Sequence, residues 1–294
     1  MTAITDNAAA ETKQVKPKQN NRNLPVYKTA QSPLAKAWLD VTEGIKMSDL
    51  WMLTTMRDYV NQNRRRFLGW AWVPLGMLFL VFALGYAYSY ILGYDYLAFT
   101  LYLFAGFMAW TYIQSIVNGA FTLFLRDANV IMNVKMPFSY YAYRLVFLHL
   151  LPIAFCLPFY LALVAIYGEF KFPEMLLFFP ALLIYIVCGV SMAFFIGIIA
   201  LRFRDLEAPI GNIMRVLFLV TPVIWMIEGR EGSKRAYWAE YNPLYHIVEI
   251  MRAPLLGQTP DMLNWYVALS VMGFLLLCAV IIFPRYRHRI AYWL

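Results

Sequence analysis

The chain has 294 residues, of which 62% are hydrophobic, 18% aromatic and 14% charged, with a net charge of +8. Its mean hydropathy is +0.56. Soluble domains hold about 45–50% apolar residues, so a soluble globular fold is excluded, and the positive charge, gathered beside apolar runs, points to membrane topology and anionic headgroups rather than to nucleic acid.

The expected fold is an all-α polytopic membrane protein, with Pro and Gly (15 of each) scattered through apolar runs where neighbouring helices satisfy the backbone. Residues 1–46 read as a disordered basic cytoplasmic tail. Lys13, Lys16, Lys18, Arg22 and Lys28 stand among Asn, Gln, Thr and Pro, with too little apolar surface to offset ordering entropy. The tail contains no apolar stretch of the signal-peptide kind. Residues 48–61 follow as a helix with Ser48 as its cap and Leu50, Leu53, Met56 and Val60 at helical spacing. It is too short and too charged to span, and Trp51 and the run Arg64, Arg65, Arg66 would anchor it at the interface.

Six spans are expected at about 71–92, 99–123, 143–167, 174–200, 208–228 and 262–284. Arginines and lysines gather on one side: Arg57 and the arginine run, then Arg126, Lys135 and Arg144, then Arg202 and Arg204, then Arg285, Arg287 and Arg289. By the positive-inside bias both termini are cytoplasmic.

The 124–142 loop carries Asp127 as a capping residue, an apolar stripe of Val130, Ile131 and Val134, and Pro137 as a stop. Three or so turns of amphipathic helix off the membrane would offer a knob for a partner's groove. On the first span Phe79, Phe82, Tyr86 and Tyr90 form one stripe, and Trp110 and Tyr112 on the second span are placed to join it. Aromatic faces stack on the apolar C–H faces of sugars, and they also serve as lipid-facing or packing residues.

Arg215 lies inside the fifth expected span, either facing a substrate phosphate or snorkelling to headgroups and pairing with Glu207 or Asp205. His149 reads as a packing residue. The 229–261 excursion is too long for a tight turn and carries an amphipathic helix beginning at Asn242-Pro243, with His246 and Glu249 on one face. Cys156, Cys188 and Cys278 lie singly in apolar runs and lack metal-ligand spacing. No catalytic motif, metal site or cofactor site is expected in the chain. There is no GxxxxGK[ST], and no Asp or Glu lies near the middle of a span, so motive force is expected from a separate ATPase rather than an ion gradient.

The order of these features resembles the type-2 ABC exporter permeases, in particular those exporting lipid-linked polysaccharides. The resemblance runs over residues 48–294 and rests on Trp51…Arg57-Asp58, the arginine run leading to Gly69-Trp70-Ala71-Trp72, Asn133-Val134-Lys135-Met136-Pro137, Arg204-Asp205-Leu206, Thr221-Pro222 and Asn242-Pro243-Leu244. Lys135-Met136-Pro137-Phe138 departs from the family's common aromatic before the proline and basic residue after it. The resemblance implies that residues 47–294 form an exporter transmembrane domain, a homodimer in the bacterial inner membrane with two copies of a separate ABC ATPase that holds ATP and Mg. Its cargo would be a polyprenyl-diphosphate-linked glycan of O-antigen or capsule type. Asp127, Asn129, Val130, Asn133, Val134 and Lys135 would contact the ATPase. Arg64, Arg65 and Arg66 would receive the lipid diphosphate, and Phe79, Phe82, Tyr86, Tyr90, Trp110 and Tyr112 would line a glycan path. Trp225, Asn242, Pro243, His246 and Glu249 would belong to a re-entrant outer gate. The alternatives are a type-2 exporter of a small molecule such as a drug or haem, and an ion-coupled carrier.

Overall fold

The computed structural model describes residues 32–63, 67, 69–167, 171–227 and 239–294, and among them every regular element is helical. Five helical segments are long and apolar enough to cross a membrane: Trp72–Ile91, Tyr96–Arg126, Phe138–Tyr167, Phe172–Arg202 and Met262–Trp293. Their cores are α3 (Trp72–Leu92), α4 (Tyr96–Arg126), α6 (Phe138–Tyr167), α8 (Phe178–Arg202), which follows the short α7 (Phe172–Met175), and α11 (Met262–Tyr286).

The helix ends follow local chemistry. Gly93 closes α3 with φ of 74°, a left-handed conformation that glycine adopts without steric cost. Asp95 then caps α4, its side chain accepting a 2.8 Å hydrogen bond from the Ala98 amide. The pair forms a tight antiparallel hairpin. The second helix is the centre of the bundle: Phe99, Leu103, Phe104, Met108, Trp110, Ile116 and Ala120 along it are all buried. Gly189 on α8 lets that helix approach α4 closely, since a Cβ there would sit 2.4 Å from the Tyr112 hydroxyl.

The fifth expected span, 208–228, holds a shorter helix and is not among the five described segments long and apolar enough to cross a membrane. Residues Glu207–Val220 form a 14-residue helix, α9, that stops before Thr221-Pro222. At about 1.5 Å per residue it covers roughly 21 Å, short of the roughly 30 Å hydrocarbon core. Proline lacks the amide that would continue the ladder, and Thr221 and Val223 are buried in the turn that follows. A further helix, α10 (Pro243–Leu255), is packed into the bundle with His246, Val248, Ile250, Met251 and Arg252 buried. Both α8 and α11 end at the same face of the bundle: the Phe194 and Phe283 rings lie 4.3 Å apart and Arg204 donates to the Trp293 carbonyl at 3.1 Å. Two neighbouring helices in the same direction require the intervening chain to return across the bundle, and α9 and α10 share that return.

Residues 33–46, expected within the unstructured tail, instead form helix α1 (Pro33–Lys46), capped by Ser32. Its order comes from tertiary contacts. Asp40 is wholly buried, and its carboxylate accepts the Phe138 and Ser139 amides at 3.2 and 2.9 Å and the Arg287 Nε at 2.8 Å. Asp40 thereby caps α6, which begins five residues before the expected span. Gly44 is required at the crossing, because a Cβ there would lie 2.1 Å from Ser139 Oγ.

After Met47 the chain continues as α2 (Ser48–Asn63), with Ser48 as a helical residue and not the cap. The expected apolar stripe of Leu50, Leu53, Met56 and Val60 is exposed, while Thr55 and Tyr59 are buried. Trp51 packs against Phe147 with ring centres 5.5 Å apart and donates to the Gly44 carbonyl at 3.2 Å. Trp51 therefore holds α2 to the bundle and leaves the apolar stripe facing outward, an orientation suited to lipid.

Candidate functional site

The connection between α4 and α6 is a short knob with a charged root. Its helix, α5 (Ala128–Asn133), has six residues rather than three turns. Val134 turns extended at φ −125°, and the buried Pro137 stands at the start of α6. Asn129, Val130, Asn133, Val134 and Lys135 are all exposed, and Ile131 turns inward against the core. Met132, absent from the expected set, is the most exposed apolar side chain there, at 59%.

Asp127 differs from expectation. Its side chain makes no cap hydrogen bond to α5. It accepts instead from Arg144 Nη1 at 2.8 Å, while Arg144 Nη2 donates to Asp58 on α2. One guanidinium thus ties the root of the knob, the surface helix and the start of a spanning helix into a single junction. Sequence separations of 17 and 86 residues hide these pairs. Beside the junction a cavity of about 160 Å³ is lined by Arg126, Tyr141, Arg144 and His149 among others.

At the other end of the bundle α10 is fixed by a polar network. Asn242 caps it through the Leu244 amide at 3.0 Å and donates to Thr221 Oγ1 at 2.8 Å. His246 bridges Asn264 Oδ1 at 2.6 Å and the Glu240 carbonyl at 2.8 Å. Glu249 pairs with Arg252, whose Nη1 donates to the Pro222 carbonyl at 2.6 Å and whose guanidinium lies 4.0 Å from the Tyr102 ring centre. The Tyr102 hydroxyl donates to the Pro222 and Trp225 carbonyls, each at 3.0 Å.

Of the expected gate residues, Asn242, His246 and Glu249 are therefore engaged by partners within the chain. His246 and Glu249 bind separate partners rather than acting as a pair. Pro243 is exposed at the first turn of α10, and Trp225 donates to the Leu219 carbonyl at 3.3 Å. The residue that sequence reasoning missed is Arg252, which looked like one more charge on a polar loop. Residues 228–238 of the excursion lie outside the described residues.

The aromatic stripe on α3 is present in part. Phe79, Tyr86 and Tyr90 are 78%, 70% and 86% exposed, and Phe82 is half-buried. Trp110 and Tyr112 do not join it. Trp110 is buried with its ring 5.5 Å from Phe218, and the Tyr112 hydroxyl donates to the Tyr185 carbonyl at 3.0 Å. Both point into the helix bundle because α4 is its central helix.

Arg215 is exposed on α9, where it donates to Asn212 Oδ1 at 3.3 Å. Among the described residues neither Glu207 nor Asp205 pairs with it. Arg64, Arg65 and Arg66 lie outside the described residues.

Comparison with known proteins takes in most of these features. Residues 49–256 match the family model for ABC-2 type transporters. The chain is also 22% identical over 214 residues to the O-antigen export system permease protein RfbA of Myxococcus xanthus, covering 72% of this chain and 82% of that protein. The family match runs from the surface helix α2 through the knob and the spanning hairpins to the end of the buried α10. This multi-pass membrane protein, a transport subunit without an ATPase motif of its own, therefore belongs to the ABC-2 type transporter family.

Proposed function

We propose that this chain is the permease of an ATP-driven exporter that carries a polyprenyl-diphosphate-linked polysaccharide, of O-antigen or capsule type, from the cytoplasmic to the outer leaflet of a bacterial inner membrane. It works as a homodimer with two copies of a separate ABC ATPase, which supplies ATP and Mg. Family membership supports the ATPase partner, and the relative named for O-antigen export supports the cargo class. The observation that carries the mechanism is the exposed knob rooted on Arg144. A partner gripping Val130, Met132 and Val134 displaces α5, and the Asp127–Arg144–Asp58 junction passes that displacement to α6 and α2 together.

The basic face of the bundle, with Arg126, Lys135, Arg202, Arg204, Arg285 and Arg289, is the cytoplasmic one by the positive-inside bias. Arg64, Arg65 and Arg66 attract the lipid diphosphate from that leaflet. The exposed rings of Phe79, Tyr86 and Tyr90 offer stacking faces to sugar residues, while Phe82 stands between them on the same helix. The outer gate is built on α10, with Trp225 and Pro243 at its margin and Asn242, His246 and Glu249 holding it in place.

Deleting the gene tests this reading. Lipid-linked polymer should accumulate inside the cells, and restoring the chain together with its ATPase should clear it. Unchanged polymer export with new sensitivity to a small toxin would instead identify a small-molecule exporter. Transport by the lone chain on an ion gradient would overturn the ATPase requirement.

A further inference from the structure

We propose that the cleft between the ends of α8 and α11 is a binding site for one anionic glycerophospholipid. The cleft has a volume of about 360 Å³ and is bounded at its polar rim by Arg202 and Arg289. Ile198 and Ile282 line its deeper part, and Tyr286 and Trp293 close its side. Ile198 lies one helical turn below Arg202 on α8, so guanidinium groups stand above aliphatic wall on helices that span the bilayer. That layering matches a headgroup phosphate over an acyl chain, with a Tyr and a Trp at the level where such rings favour the interface.

The charges point to an anion. Arg144, Arg252 and Arg287 are each engaged by a carboxylate. Arg202 and Arg289 are exposed, and among the described residues no carboxylate pairs with either. No acidic side chain lines the cleft. A guanidinium donates two parallel hydrogen bonds to a phosphate, which makes a pair of unpaired arginines a suitable rim.

The wall itself is held in place. Arg204 donates to the Trp293 carbonyl at 3.1 Å, and the Tyr286 and Trp293 rings lie 5.7 Å apart, so the C-terminal segment is fastened against α8. The alternative role for both arginines is to compensate negative helix C-terminal ends, and Arg289 also lies 6.0 Å from the Tyr286 ring centre; neither interaction occupies the guanidinium N–H groups along the cleft rim. The site is independent of the cargo: it requires only that the chain sit in a membrane.

Native mass spectrometry of the full chain, titrated with phosphatidylglycerol or phosphatidylcholine in detergent, tests the site. The wild type should retain phosphatidylglycerol in preference to phosphatidylcholine. An Arg202→Gln, Arg289→Gln double variant should bind phosphatidylglycerol roughly thirtyfold more weakly, the effect of removing two basic side chains from an anionic lipid surface. Arg202→Lys, Arg289→Lys should recover much of the preference, which separates a lost charge from a lost fold. Arg215→Gln, an exposed arginine away from the cleft, should bind as the wild type does. Equal retention of both lipids, an unaffected double variant, or displacement of the lipid by millimolar inorganic phosphate would overturn the proposal. So would a double variant that keeps its lipid but loses the ATPase subunit on co-purification, because the cleft would then be a protein dock.

Discussion

Arg144, Arg252 and Arg287 each join parts of the chain that lie far apart in sequence or in the bundle, and their substitutions should differ with burial. Arg252 is 2% exposed and holds both Glu249 and the Pro222 carbonyl. Arg252→Met should cost about 3–5 kcal/mol by stranding a carboxylate, read as a lowered melting temperature of the purified protein. Arg252→Met combined with Glu249→Gln should recover much of that loss, since no uncompensated charge remains. Arg144→Met leaves two partly exposed carboxylates, so its cost should fall between the about 1 kcal/mol of an exposed pair and the about 3–5 kcal/mol of a buried one. Its larger effect should be on coupling. Adding Asp58→Asn and Asp127→Asn should restore the melting temperature without restoring cargo-dependent ATPase activity in the assembled transporter.

At the scale of elements, the contrast between α5 and α1 is instructive. The knob helix α5 has six residues and no buried side chain, so its conformation is held by its ends. Met132→Asp with Val134→Asp should leave the melting temperature of the lone permease unchanged and abolish co-purification with the ATPase subunit, because both side chains are exposed and apolar. For α1 the opposite holds. Asp40→Ala removes a cap from α6 and the partner of Arg287, and capping losses alone run to about 0.5–2 kcal/mol. That substitution should lower the melting temperature more than Met132→Asp does and should expose α1 to proteolysis. The identity of α1 as a helix was not legible in its sequence, because the carboxylate that orders it meets partners 98 and 247 residues away.

For the whole molecule, the direction of each helix sets a topology that labelling can check. The Arg287–Asp40 pair, with Nη2 at 2.7 Å from Oδ2, brings the N-terminal helix and the C-terminal segment to the same face. Tyr241 stands between α9 and α10 on the return of the chain and is 83% exposed. In a background with Cys156, Cys188 and Cys278 replaced, Leu34→Cys and Tyr292→Cys should react with a membrane-impermeant thiol reagent from one side of the membrane only. Tyr241→Cys should react from the other side. Labelling of all three from one side would contradict the return of the chain through α9 and α10.

Hydropathy alone was enough to place a multi-pass helical protein and to locate α3, α4, α6, α8 and α11 to within a few residues, because a bilayer demands about 20 apolar residues wherever a helix crosses it. The α5 knob was legible in part: Val130 and Val134 of the expected apolar stripe are exposed, while Ile131 turns inward and Met132 was missed. Tertiary structure decided the rest. It stopped α9 at Thr221-Pro222 where hydropathy ran on, took Trp110 and Tyr112 into the core, and built the junctions at Asp40, Arg144 and Arg252. Pattern along a chain reports the solvent each residue prefers; which charge answers which depends on helices brought together only after they have formed.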